Sequence, residues 1–154
     1  MTEGYFPKIN GETYYASEVN SGLRYINKDS GTTLTSVGNL SNIITIPANS
    51  AGTGILVLAP ITVEITGSNN GDIVGVFSIK CDSSNPPTTI KQSVSLKANK
   101  ASGYPSIIGY TFVEFITGLT LTSTNYLKIT LDSVTASNSN TGNFTCNEIV
   151  VIAI

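Results

Sequence analysis

Histidine and tryptophan do not occur in this chain, and methionine occurs once. Lys, Arg, Asp and Glu together make up only 12% of its 154 residues. Each shortage removes a class of function. Without histidine there is no imidazole to activate a serine or cysteine nucleophile, and the commonest metal ligand is missing. The charged share is about half the usual value of roughly 25%. The eight basic residues are scattered, so no cluster of the kind that neutralises phosphates is present, which argues against nucleic acid as a partner. The longest apolar run, Ile55 to Ile61, is interrupted by Pro60 and falls far short of the roughly 20 residues a membrane-spanning helix needs. The opening residues, MTEGYFPKIN, have no basic region leading into an apolar one, so they read as something other than a secretory signal. Neither membrane insertion nor a cofactor is expected.

Cysteine is also scarce. Cys81 and Cys146 match no metal-site spacing. They are either two separate buried thiols or one bridge, and the sequence leaves both open.

What is present is apolar and neutral-polar. Hydrophobic residues make up 40% and the net charge is −2, with a pI near 4.9. Disordered chains are poor in apolar residues and rich in charge, so this one is expected to fold. Its length suits one domain.

Two regimes divide the chain. In residues 11–28, Tyr15, Val19, Leu23 and Ile26 recur at spacings of four, four and three, which predicts one apolar face of a short helix. Ser17 is placed to cap it, Glu18 lies near its positive end, Arg24 and Lys28 lie near its negative end, and Gly31 stops it. Gly22 costs about 1 kcal/mol relative to alanine, and a helix this short is marginal alone. It therefore packs either on its own domain or on another subunit.

Further along, the period becomes two. Ile61, Val63 and Ile65 alternate with Thr62, Glu64 and Thr66, and Ile73, Phe77, Ile79 and Cys81 share one parity. Ile90, Val94 and Leu96 form another such set, as do Leu127, Ile129 and Leu131. These patterns predict half-buried antiparallel strands. The runs Ile55–Ala59 and Ile149–Ile154 are apolar at every position, which predicts strands covered on both faces. Turn chemistry separates the strands, notably Ser68-Asn69-Asn70-Gly71, the Asp82–Pro87 loop, the Ala98–Pro105 loop and the Ala136–Asn143 loop. No crossover helix is visible. The expected fold is all-β: an antiparallel β-sandwich or jelly roll of about eight strands over residues 36–154, preceded by a short helix in an N-terminal segment, residues 1–35.

Two stretches carry a resemblance. Asn10-Gly11-Glu12-Thr13-Tyr14-Tyr15-Ala16-Ser17-Glu18-Val19-Asn20 resembles the N-terminal anchor of tailed-phage appendage proteins, with Tyr14 where that family more often has an aliphatic residue. Ile44-Thr45-Ile46-Pro47-Ala48-Asn49-Ser50, followed by Gly52-Thr53-Gly54, is similar to the opening of virion jelly-roll domains in tail-tip, head-fibre and capsid-decoration proteins. The ending from Asn125 to Thr130 and beyond is similar to theirs too. The resemblance implies a viral structural protein of the virion, assembled in the host cytoplasm. It would dock onto other virion structural proteins through residues 1–35, with Tyr15, Val19, Leu23 and Ile26 at the interface. The β-domain would be displayed as a homo-oligomer, expected to be a trimer.

Candidate catalytic groups are sparse. Glu64, Glu114 and Asp132 fall in expected strands, where a pair of carboxylates would have to meet across a groove to hydrolyse a glycoside. The residues read more simply as polar members of alternating strands, and no enzymatic activity is expected. Glu114 lies between Phe112 and Ile116 on one parity, so it either interrupts an apolar face or marks an edge. Ser68–Asp72 offers a single carboxylate, too few for calcium. Tyr104 is the best placed aromatic for stacking on a sugar. The alternative function is therefore a carbohydrate-binding, host-attachment module recognising a surface glycan through the loops Asp82–Pro87, Ala98–Pro105 and Ala136–Asn143.

Overall fold

The computed structural model describes residues 24–48, 54–101, 106–120 and 122–154. These residues form eleven strands and no helix: β1 (Arg24–Asp29), β2 (Thr33–Leu34), β3 (Gly38–Asn39), β4 (Ile44–Ile46), β5 (Gly54–Ile65), β6 (Gly71–Asp82), β7 (Ile90–Lys100), β8 (Ile107–Thr117), β9 (Asn125–Ala136), β10 (Gly142–Cys146) and β11 (Ile149–Ala153).

The strands make two antiparallel sheets. In the first, β5 pairs along its length with β8 on one side and with β10 and then β11 on the other. β2 continues outward from β10 and β1 from β11. In the second, β6 lies between β7 and β9, and both β3 and β4 pair with β9. Apart from the β6–β7 hairpin, the connections between the long strands pass from one sheet to the other. The result is a sandwich with one core between the sheets.

The alternation in sequence is the alternation in burial. On β5, Ile55, Val57, Ala59, Ile61, Val63 and Ile65 are buried, while the residues between them, from Leu56 to Glu64, are half-buried. Ile73, Phe77, Ile79 and Cys81 of β6 and Leu127, Ile129 and Leu131 of β9 fill the opposite side of the core. Gly75 takes the remaining inward position of β6, and a Cβ there would lie 2.7 Å from the ring of Phe144. The missing side chain lets Phe144 of β10 cross from the first sheet and pack against Phe77, with ring centroids 6.1 Å apart. On β9 a bulge falls opposite Val76 and Phe77. It leaves Asp132 as an extra residue, and inward parity resumes at Val134.

Three expectations change. Residues Arg24–Asp29, the end of the expected helix, are a strand paired with β11. A helix with Gly22 at its centre holds few kcal/mol of its own, whereas the edge of an apolar β11 offers a complete row of backbone partners, so tertiary pairing prevails over local propensity. Ile26 falls at the irregularity between Tyr25 and Asn27 in that ladder. Tyr15, Val19 and Leu23 lie outside the described residues. Because β1 and β2 are hydrogen-bonded into the first sheet, the sandwich takes in residues ahead of the boundary at 35. Finally, Ile90 is 54% exposed. It starts an edge strand next to a register shift at Ile79 and Lys80, so the burial on β7 begins only with Val94, Leu96 and Ala98.

Candidate functional site

Three connections meet at one end of the sandwich: β5–β6, β7–β8 and β9–β10. Hydrogen bonds tie them together. Asn69 Nδ2 donates to the carbonyl of Asn138 and Asn138 Nδ2 to that of Asn70, each at 2.8 Å. The backbone N–H of Asp72 donates to Ser137 Oγ at 2.7 Å. The N–H of Asn99 donates to Ser106 Oγ at 3.1 Å, and Lys100 Nζ donates to the carbonyl of Gly67. Asn138 and Ser139 turn with φ of 53° and 55°, a left-handed conformation that short polar side chains tolerate better than most.

Asp72 is the one carboxylate of this cluster. It takes a hydrogen bond and charge from Lys97 Nζ at 2.6 Å and a further bond from Asn99 Nδ2, and the two together hold its carboxyl below the usual range. Asn140 is 6% exposed, and neither its Oδ1 nor its Nδ2 has a hydrogen-bond partner among the described residues. It sits against the two glycines of the β5–β6 turn. A Cβ on Gly67 would lie 2.9 Å from Asn140 Oδ1, and one on Gly71 would lie 3.2 Å from Nδ2. Chemically, this end offers amides, hydroxyls and one neutralised carboxylate. Among the described residues, that set suits hydrogen bonding to a neutral polar ligand.

Two of the three loops expected to carry recognition, 98–105 and 136–143, are therefore brought together. The third, Asp82–Pro87, is at the opposite end, where it closes the β6–β7 hairpin. There the Asp82 carboxylate accepts from the N–H groups of Ser84, Thr88 and Thr89 at 2.6, 2.9 and 2.6 Å. Burial works against its charge, but these donors outweigh it and hold the carboxyl well below the usual range. Tyr104 lies outside the described residues. The loop that contains it leaves Lys100 and returns at Ser106, at the Asn140 end.

The other candidate carboxylates are spread over three strands. Glu64 of β5 is opposite Asn143, whose Nδ2 lies 3.5 Å from Oε2. Glu114 is half-buried on the edge strand β8 opposite buried Val57, between Phe112 and Ile116, so it interrupts that strand's core-facing row. Asp132, in its bulge, pairs with Lys80 at 2.8 Å and accepts from Thr130 Oγ1 at 2.8 Å. Among the described residues no three potential metal-binding side chains come together. Cys81 and Cys146 are separate buried thiols in different sheets, and burial pushes them up to about 11 and about 12.

A cleft of about 600 Å³ opens beside the β1–β2 and β3–β4 connections, lined by Gly31, Thr32, Asn39, Ser41, Asn42 and Ile43. Much of its polar chemistry is already committed. Ser41 Oγ donates to the Asn42 carbonyl at 2.8 Å and accepts from the N–H of Ile129 at 2.9 Å. Asn42 is clasped by both carboxylate oxygens of Asp29, at 2.9 and 3.0 Å. The Asn140 end, where a buried amide has no partner among the described residues, is the better candidate.

Sequence reasoning marked the polar loops but not Asn140, because nothing local distinguishes it from the other asparagines of Ala136–Asn143. It also passed over the outer side of β8, where Ile107, Val113 and Phe115 are exposed. The signal was there: apolar residues occupy both parities of that strand. No known protein family and no curated protein matches the chain.

Proposed function

We propose that the chain is a non-enzymatic structural protein of a virus particle, with an eight-line jelly roll displayed at the surface and an anchor formed by residues ahead of Arg24. The observation that carries this reading is the strand order. Taking β1 with β2, β3 with β4, and β10 with β11 as single bent lines, the lines number eight, and the sheets run first–eighth–third–sixth and second–seventh–fourth–fifth. That interleaving is the double Greek key of the jelly roll, an architecture used by viral capsid and lectin domains. The neutral surface and the resemblance of residues 10–20 and 44–54 to virion proteins support the same reading. The chain would be assembled in the host cytoplasm, with other virion structural proteins as its partners and Tyr15, Val19 and Leu23 as the anchor's contacts.

Mass spectrometry of purified particles tests the placement, and its absence from them sinks the reading. Deleting residues 1–23 tests the anchor: the truncated chain should keep its cooperative unfolding transition and lose incorporation.

A second reading, a glycan-binding host-attachment module, is favoured by one observation: the convergence of amides and hydroxyls around Asn140. Binding on a glycan array that is lost in Tyr104→Ala supports it, and no binding to any host glycan removes it.

A further inference from the structure

The two long edge strands of the sandwich differ in how they meet solvent. β7 carries Lys91, Lys97 and Lys100, and its ladder with β6 is broken by a register shift. Lysines and bulges are the usual guards against strand-to-strand association. β8 has neither. Its sequence, IIGYTFVEFIT, contains one charge, Glu114, and no proline. Its ladder with β5 runs without a register shift from Ile107 to Thr117.

Among the described residues, the backbone of β8 pairs with β5 on one side and with no strand on the other. The N–H of Ile65 donates to the carbonyl of Ser106 at 3.0 Å. By antiparallel alternation, the even-numbered residues of β8 therefore bond to β5 and the odd-numbered ones point their N–H and C=O groups away from it. Those odd residues are also the ones whose side chains stand on the outer face, with Ile107 63%, Val113 65% and Phe115 48% exposed. Unpaired backbone and exposed apolar side chains thus coincide on one uninterrupted strand.

We propose that β8 is a homodimer interface, pairing antiparallel with β8 of a second copy of this chain across a two-fold axis at Phe112. A second copy is the occupant the strand fits, because β8 is complementary to itself in that register. Phe115 falls opposite Gly109, where an added Cβ would meet nothing closer than 3.9 Å, so the ring covers an open backbone. Val113 falls opposite Thr111, and Ile107 opposite Thr117. Glu114 meets Tyr110 rather than its own symmetry mate, so the single charge is not set against itself. The first sheets of the two copies become one continuous sheet, with the outer rows Phe115–Leu56–Ile152 and Val113–Leu58–Val150 continued across the axis. The contact is isologous and closed, a symmetry different from the trimer the sequence resemblance implies. The proposal rests on the fold alone, so it stands or falls separately from the virion reading.

Sedimentation of the full chain at micromolar concentrations should give a dimer. Val113→Lys should raise the dissociation constant by about a hundredfold or more, with the far-ultraviolet circular dichroism of the sheets unchanged. A double variant, Thr111→Cys with Val113→Cys, should form a covalent dimer on mild oxidation. Residues in a hydrogen-bonded antiparallel pair are about 5.5 Å apart at Cα, within the span a disulfide accepts. The native thiols, buried and resistant to ionisation, do not compete. A monomer at all concentrations, a trimer, a dimer indifferent to Val113→Lys, or a dimer whose introduced cysteines do not cross-link would each overturn the proposal. Residues 1–23 covering the same strand would appear as the first of these.

Discussion

Phe144 reaches Phe77 only because β6 has glycine at position 75. Adding side-chain volume there forces the ring, fully buried between the sheets, to move. Gly75→Val should therefore destabilise the fold by about 1–3 kcal/mol through overpacking, and Phe144→Ala by about 3–5 kcal/mol through the cavity it leaves, both read from denaturant midpoints. Asp82 acts by charge instead. Its folded-state carboxyl lies below its ordinary value of 3.8, so the stability it contributes is present above about pH 4 and is lost as pH falls through the depressed value. Asp82→Asn should cost about 1 kcal/mol at neutral pH, the solvent-screened worth of its backbone bonds. It should also flatten the decline in melting temperature between pH 4 and strong acid, measured by thermal scans across that range.

At the scale of elements, the strands of the core were legible because burial on one face imposes a period of two. β5, β6 and β9 read directly from Ile61–Val63–Ile65, Ile73–Phe77–Ile79–Cys81 and Leu127–Ile129–Leu131. β1 was not legible. Residues 24–29 are compatible with the tail of a helical stripe, and only the distant β11 decides between the two. Pairings across more than a hundred residues leave no local mark. The same holds for the candidate site: each loop is recognisable by its Asn, Ser and Gly, but which loops share an end follows from strand order, and so Asp82–Pro87 was grouped with the wrong neighbours. The pairing of β1 has a measurable consequence. Removing residues 1–30 uncovers the backbone edge of β11, and the product should melt at lower temperature and aggregate on heating, as followed by light scattering, while removal of 1–23 should leave the melting temperature nearly unchanged.

For the molecule as a whole, the scarcity of charge sets the response to solvent. The ion pairs between described residues whose distances are given above, Lys80–Asp132 and Lys97–Asp72, both retain exposure, and such pairs contribute about 0–1 kcal/mol each. Raising ionic strength from low to several times physiological should shift unfolding free energy by less than about 1 kcal/mol, and dimerisation through β8 should be similarly indifferent to salt. A different constraint comes from β1 lying beside β11. The residues that open the sandwich and those that complete it are neighbours in one sheet, and β5 also takes β11 as a partner. During synthesis, β1 must wait without its docking edge until Ile149–Ala153 have emerged from the ribosome. Closure of the first sheet at β1 is thereby postponed until β11 is free to pair.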